Sequence, residues 1–410
     1  MPAGPEPATL TRRGARRPGW GEPGRANAAV FLLNIGEAVA STLTAAYLRS
    51  RGYPLSEIGL LVGAYAVASL ISRIPAGKLA DRPTSRRWFT LACVFTAGTF
   101  ALYPFAPGAA WFLAVRLLHG FFSGMTSTLN FATFLGVATG RNRLHATAHY
   151  TAFMSGGFAT GNILSGLVAD NLGYTAAFLL AALCPGLALL AAPHAAPTAG
   201  VAARVTDAAA PDPAASTLFR ADVVAIPALA FAVNFTHQAV GTLFPLYALS
   251  IGQSLTVVGS ARAVQSTANT VIRPFGGWLL RILGLVGLAC SGILLQGFGV
   301  AALPMTSSAL AISALFLLVG MGRGFGVVAN ALSTAQMTSR GVLKRGTAST
   351  LASMGSDSAA VIAPVVSGFS AAALGIGPAL QVLTAASTLA GLTVMVLARK
   401  GLQSEPAEPG

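Results

Sequence analysis

A small set of polar side chains sits inside long apolar runs of this sequence, and their types point to proton and ion chemistry. Glu37 and Asp357 are carboxylates in such runs, where an acid can exchange protons near neutral pH. His119 and His237 are histidines, which titrate in that range unaided. Arg116, Arg262 and Arg323 are guanidinium groups that apolar surroundings penalise unless they face a cavity or an acidic partner. Asn34 precedes Glu37 by three residues, and Asn234 precedes His237 by the same spacing, which puts each pair on one helix face. Gln238 adds an amide beside the second pair. Two polar patches meeting across a central cavity would suit the passage of a proton and a small solute. The plainer alternative is a set of fixed ion pairs, such as an acid with Arg116 or Arg323, or satisfied packing residues.

The elements that must position these groups follow from composition. The chain has 410 residues, 54% of them hydrophobic and only 9% charged, against about 25% charged in soluble domains. That excludes an ordinary water-soluble protein. A bilayer-crossing helix needs about 20 mostly apolar residues. Runs at 27–48, 56–80, 88–106, 109–138, 146–170, 173–193, 223–250, 255–280, 284–304, 309–338, 346–371 and 375–398 meet that need. The expectation is an all-α membrane protein of twelve transmembrane helices, arranged as two six-helix bundles at 27–193 and 223–398. An Ala/Pro-rich stretch at 194–222 reads as a cytoplasmic linker. Residues 1–26, rich in Pro, Gly and Arg, read as a disordered cytoplasmic tail, and 399–410 as a second tail.

The formal charge of +14 invites a nucleic-acid reading, which the distribution removes. Alternating sides across these spans puts 19 Lys and Arg in one set of loops and tails, and two, Arg49 and Arg51, in the other. This is a positive-inside pattern with both termini cytoplasmic, in a cell membrane. Ala38-Val39-Ala40 resembles a signal-peptide cleavage site, but Glu37 interrupts the apolar stretch before it, so the first span is expected to be retained. Cys93, Cys184 and Cys290 lie in apolar runs and form neither a metal spacing nor a disulfide framework.

An internal repeat organises the chain. Residues 31–79 align with 231–279 without a gap, and 13 of 49 positions are identical. Phe31/Phe231, Asn34/Asn234, Tyr47/Tyr247, Gly52/Gly252, Gly59/Gly259, Arg73/Arg273 and Gly77/Gly277 are among them. The same offset pairs Thr147-Ala148 with Thr347-Ala348 and Met154 with Met354, and it pairs Glu37 with His237. Parallel repeats of this kind place a substrate site between the two copies near the membrane midplane.

The loop after the second run reads Gly77-Lys78-Leu79-Ala80-Asp81-Arg82-Pro83-Thr84-Ser85-Arg86-Arg87. It resembles the loop between helices 2 and 3 of the major facilitator superfamily, Gly-x-x-x-Asp-Arg/Lys-x-Gly-Arg-Arg/Lys. Gly77, Asp81 and Arg82 match in register, Arg86 and Arg87 supply the later basic pair, and Thr84 replaces the second glycine. The resemblance implies a cytoplasmic gating loop in which Gly77 allows close packing and Asp81 pairs with basic groups or a helix N-terminus. Arg116-Leu117-Leu118-His119-Gly120 resembles the family's helix-4 motif Arg-x-x-Gln-Gly, with His119 for Gln. It implies that Arg116 couples protons or substrate. Gly157, Gly161 and Gly166 match the helix-5 motif of antiporters, although Asn162 stands for its proline and Ser165 for its other glycine. These small residues let helices approach closely.

Signals for enzyme chemistry fail on context. Gly297-x-Gly299-x-x-Ala302 has dinucleotide-fingerprint letters inside an apolar run, without a strand. Asn234-Phe235-Thr236 is a glycosylation sequon where no glycan fits. No phosphate-cradling Gly-Lys-Ser/Thr loop, zinc-type His pair or nucleophile elbow is present. The expectation is therefore a secondary transporter, not an enzyme, with no cofactor and no metal. By resemblance to drug or metabolite:proton antiporters, it would export a small organic molecule by alternating access with the proton as coupling ion. Its partners would be that solute, protons and the lipid bilayer, with no nucleic acid, and one chain would suffice. The rival is an uptake symporter or facilitator of a polar nutrient such as a sugar, for which Asn34, Asn234 and Gln238 are a thin set of amides. An integral membrane enzyme, or a transporter-like receptor that tolerates Glu37→Gln, completes the alternatives.

Overall fold

A computed structural model describes residues 21–137, 143–193 and 219–403, and these residues are helical with no strand. The helices are α1 (Glu22–Ser50), α2 (Leu55–Ala80), α3 (Ser85–Leu102), α4 (Ala109–Val137), α5 (Arg143–Ala191), α6 (Ala221–Ser250), α7 (Leu255–Val271), α8 (Gly276–Ala301), α9 (Ala309–Ser339), α10 (Arg345–Leu374) and α11 (Ile376–Gln403). Short 3-10 turns at Tyr103–Phe105, Arg273–Phe275 and Leu303–Met305 follow α3, α7 and α8. Among the described residues, nine segments are long and apolar enough to cross a bilayer. Two of them, His145–Ala191 and Leu255–Met305, contain 47 and 51 residues. At 1.5 Å per residue each exceeds twice the roughly 30 Å of a hydrocarbon core. Inside a helix of each, one glycine leaves the helical conformation, Gly173 (φ 83°) in the first and Gly284 (φ 65°) in the second.

The helices run past the spans read from hydropathy. Residues 22–26, expected in the tail, form the first turn of α1, where Arg25 donates to Ala192 O at 3.2 Å. The other end of the chain stays helical to Gln403. Hydropathy marks where a helix stops being apolar, whereas backbone hydrogen bonding continues into the polar interface. α4 is not among the nine apolar segments, because it carries Arg116, His119 and Asn130. It packs between α2, α3 and α1, so its polar face meets protein and not lipid. Large apolar side chains such as Ile74, Phe105, Leu190, Phe298 and Leu397 are exposed on the outside. That inverts the surface of a water-soluble protein and suits a lipid surround. α1 and α6 are the most enclosed of the apolar helices.

The two copies fold alike in detail. α1 ends with Tyr53 N donating to Leu48 O (3.2 Å), and α6 ends with Gln253 N donating to Ala248 O (2.9 Å). Ser50 and Ser250 Oγ each donate to the carbonyl three residues back, at 2.8 Å and 2.7 Å. Both turns close through a glycine with positive φ, Gly52 at 85° and Gly252 at 77°. No atom lies within 4 Å of a Cβ built on either, so the requirement is conformational alone. Gly52→Ala is expected to lower stability by about 1 kcal/mol, the cost of a left-handed Cβ-bearing residue. Thermal denaturation of the purified protein measures it, and an unchanged midpoint would contradict the assignment.

The halves meet along two matched seams. On one, α2 packs on α10, and a Cβ at Gly59 would fall 2.5 Å from Pro364 O and 2.8 Å from Gly368 Cα. On the other, α7 packs on α5, where a Cβ at Gly259 would collide with Asn162 O and one at Gly166 with Leu255 O. Asp170 caps α7 across this seam, accepting from Leu255 N (3.1 Å), Thr256 N (2.7 Å) and Thr256 Oγ1 (2.6 Å). These contacts cluster at the end of the molecule carrying the α1–α2 and α6–α7 turns, which is therefore closed.

Candidate functional site

The helix-4 side chains Arg116, His119 and Ser123 recur at spacings of three and four, so they share one face of α4. That face meets α1, and Glu37 from α1 completes a network. Glu37 Oε2 lies 3.1 Å from His119 Nε2 and accepts from Ser123 Oγ at 2.8 Å. His119 Nδ1 lies 2.7 Å from Tyr103 Oη and 3.4 Å from Arg116 Nη1. A guanidinium can only donate, and Arg116 Nη1 also donates to Tyr103 Oη at 3.3 Å. The network therefore assigns Nδ1 as the acceptor and puts the ring hydrogen on Nε2, facing Glu37. Arg116 Nη2 donates to Val62 O (3.3 Å), and its guanidinium lies 4.9 Å from the centre of the Tyr65 ring. Tyr65 Oη and Ser123 Oγ are 3.2 Å apart.

Burial grades across this cluster. The His119 side chain is 0% exposed, wedged against the rings of Phe100, Tyr65 and Tyr103, whereas the Glu37 side chain retains 16% exposure. The carboxylate thus has one side on a fixed donor set and one side open. Its negative charge and the positive charge of Arg116 balance locally, with a neutral imidazole between them. In apolar surroundings such a balance is needed for either charge to persist.

The second copy builds a different centre. Arg262 Nη1 donates to Gln265 Oε1 at 3.1 Å, and Gln265 Nε2 lies 3.4 Å from His237 Nδ1. Arg323 lies within electrostatic range of Arg262 and Arg273, and His237 within range of Arg323 and Arg262. No hydrogen bond among the described residues joins this centre to Glu37, so the aligned pair Glu37 and His237 occupies two separate networks.

Asp357 is not with Arg116 or Arg323. Both of its oxygens accept from Arg73 Nη1, at 3.0 and 2.8 Å, which joins α2 to α10 across the halves. Asn34 and Asn234 both donate to the carbonyl four residues back in their own helices, at 2.7 and 2.8 Å. Asn234 also donates to Ser356 Oγ at 3.1 Å. Gln238 is half-buried and joins neither network through its side chain. Gly157 and Gly161 hold α5 against Phe31 and Ile35 of α1, while Gly166 serves the seam. Asn162, the residue in place of the motif's proline, accepts from Thr42 Oγ1 at 2.7 Å and donates to Ser266 Oγ at 3.4 Å, across the halves.

In the loop after α2 Asp81, Arg82, Arg86 and Arg87 are exposed, and a Cβ at Gly77 would meet open space. Close packing at Gly77 is therefore absent from this arrangement. The turn needs no second glycine, because Thr84 takes φ −87° and Arg87 N donates to its carbonyl at 2.9 Å.

Sequence reasoning missed Tyr65, Tyr103, Ser123, Gln265 and the pairing of Arg73. Ser123 could have been found from its helical spacing to His119 and Arg116, and Arg73 from its match to Arg273. Tyr103 lies in a 3-10 turn with no periodic signal. The Arg73–Asp357 pair yields a test. Asp357→Asn or Arg73→Gln alone is expected to lower the midpoint of thermal denaturation, and exchanging the two residues to restore much of it. A charge-reversed pair no better than the single variants would show that the bridge is incidental.

Comparison with known proteins follows the same outline. Residues 27–364 match the family model of the Major Facilitator Superfamily. An uncharacterized MFS-type transporter of Methanocaldococcus jannaschii is 25% identical over 162 residues, 40% of this chain and 41% of that protein. Monocarboxylate transporter 13 of Bos taurus is 29% identical over 165 residues, 38% of each chain. The matches thus span about two fifths of these relatives. In three dimensions, a bacterial homolog of the human lysosomal transporter Spinster, inward-facing and unoccupied, superposes with a TM-score of 0.74 at 13% identity, covering 93% of this chain and 98% of that one. The nucleoside transporter NupG superposes with a TM-score of 0.72 at 12% identity, covering 92% and 98%. At these identities the likeness is one of fold.

Proposed function

The chain belongs to the Major Facilitator Superfamily, and from that premise we propose that this multi-pass membrane transporter exports a small organic molecule against a proton by alternating access. The observation that carries the reading is Glu37, an intramembrane carboxylate held on one side by His119 and Ser123 and open on the other. A group so placed can take a proton from the open side. Protonation cancels the charge that makes the His119 and Ser123 bonds strong. It leaves Arg116 without its counter-charge and loosens α1 from α4, helices that belong to the same half. A carrier that moves the solute while Glu37 is ionised and returns while it is protonated performs the simplest form of exchange.

The same reading covers topology. Broken at Gly173 and Gly284, the two longest segments count as two crossings each, and with α4 the spans number twelve, six in each bundle. Positive-inside loops put both termini in the cytoplasm of a cell membrane, so the closed end faces outward. One chain then holds a whole carrier. The amides argue against a sugar-type site, because Asn34 and Asn234 spend a donor on their own helices.

Reconstituted vesicles test the proposal. An imposed pH gradient is expected to drive solute movement, and cells lacking the protein to retain more of the solute. Movement indifferent to the gradient overturns the coupling, and lower retention without the protein overturns the direction.

A further inference from the structure

The charges inside the two halves do not match, and the mismatch bears on what is carried. In the first half the charges have answers: the buried Arg116 lies near Glu37, which is bonded to His119, and the exposed Arg73 is bonded to Asp357. The second half holds Arg262, Arg273 and Arg323 with His237, and no carboxylate is bonded to any of them. Arg262 is held by an amide, Gln265, and Arg273 Nη2 donates to another, Asn269 Oδ1, at 3.3 Å. Arg323 takes part in none of the described hydrogen bonds or ion pairs. The Nε atoms of Arg273 and Arg323 are buried without a partner, as is that of Arg116, whose two Nη atoms are bonded. An unsatisfied buried donor is costly, and more so on a charged group.

Pseudo-symmetry shows what is missing. Arg73 and Arg273 are mates in the repeat, on α2 and directly after α7. Arg73 finds Asp357 on α10 across its seam. The mate of Asp357 on α5 is Gly157 at the offset of 200, or Ser155 in the register of the seams, where Gly368 and Gly166 occupy equal places. Neither is an acid. The duplicated unit thus carries the cation twice and the carboxylate once.

The three arginines also stand at different heights along their helices. From the closed end, a rise of 1.5 Å per residue puts Arg262 about 10 Å in, Arg323 about 21 Å in and Arg273 about 27 Å in. They flank the seam, since Ser266, next to Gln265, is bonded to Asn162 of the first half. Arginine forks match carboxylate, sulfonate and phosphate oxygens in pairs.

We infer that the solute is a small organic anion whose oxyanion group supplies the counter-charge missing from the second half, bound between Arg323 and its neighbours Arg262 and Arg273. The inference rests on the transport reading and narrows it. His237 and Gln265 complete the polar wall.

The test uses the full chain in lipid vesicles and a series of one shape and differing charge: benzoate, benzenesulfonate and phenylphosphate against benzamide, benzyl alcohol and benzylamine. Thermal stabilisation reads binding, and exchange of labelled solute across the vesicle reads transport. The oxyanions are expected to stabilise the protein and the others not, with the three anions ranking the preferred headgroup. Arg323→Gln is expected to weaken anion binding by about tenfold or more, Arg323→Lys to recover part of it, and Lys400→Gln, on an exposed helix end, to change nothing. Preference for the neutral or cationic members, or anion binding unmoved by Arg323→Gln, overturns the inference; so does a series in which no oxyanion stabilises the protein. Exchange of a neutral member would sink the anion while leaving transport standing. Anion binding without exchange would do the reverse.

Discussion

Glu37→Gln is expected to abolish solute accumulation driven by a pH gradient while leaving equilibrium exchange measurable. Both bonds to the Glu37 carboxylate end on one oxygen, Oε2, at 3.1 Å from His119 Nε2 and 2.8 Å from Ser123 Oγ. An amide oxygen can occupy that place and accept from both donors, so the substitution keeps the geometry and removes the titrating charge. What is lost is the energetic difference between the protonated and ionised carrier, and coupling terms of this kind amount to about 1–3 kcal/mol. Arg116 then lacks its counter-charge, and some loss of thermal stability follows, which Arg116→Gln in the same chain should partly relieve. Vesicles with and without a pH gradient separate the two activities. Gradient-driven accumulation at the parental level in Glu37→Gln would remove Glu37 from the coupling.

The second large effect is expected at the seams. A Cβ at Gly166 would collide with Leu255 O and lie 2.6 Å from Leu255 C and Thr256 Cα. Both obstacles are backbone, at the start of α7, and cannot swing aside as a side chain would. Gly166→Leu should therefore hold the closed end apart. Overpacking costs about 1–3 kcal/mol, and differences of that size shift a two-state equilibrium by about 5- to 150-fold. Spin labels on the α1–α2 and α6–α7 turns should report longer distances, and transport should fall in proportion. Gly186 offers the control, because nothing lies within 4 Å of a Cβ there and Gly186→Leu should be silent. Unchanged distances in Gly166→Leu would mean that the seam is not what keeps that end shut.

The sequence made some of this visible and hid the rest for physical reasons. Apolar runs locate helices in a bilayer because every backbone polar group must be satisfied inside the segment, so the helices overlap the runs and exceed them only at polar ends. The copies at offset 200 were readable from Gly52 and Gly252, which now prove to close the same turn in both halves. Helical spacing on α4 put Arg116 and His119 on one face. Nothing local, however, says which helix a face will meet. Asp357 and Arg73 are 284 residues apart, and no periodicity links them. Tyr103 enters the cluster from a turn, and Tyr65 from the middle of α2 without a charge to draw attention. The orphaned Nε donors of Arg273 and Arg323 depend on how α7 and α9 pack, which no local spacing announces.

The paired seams also constrain the dynamics of the carrier. Gly59 against Gly368 and Gly259 against Gly166 are the same joint made twice, once at each seam. Two joints between the same two halves cannot open singly without shearing the other, so they break together or not at all. On the proposed alternating-access reading their energies would add within a single step, and the molecule would behave as a switch with two positions instead of a pore with graded widths. A leak would require both joints to fail while the opposite end stands open. Duplication of the unit therefore secures tightness as well as symmetry: the barrier against uncoupled leakage is raised by the second copy of a joint that the first copy already contained.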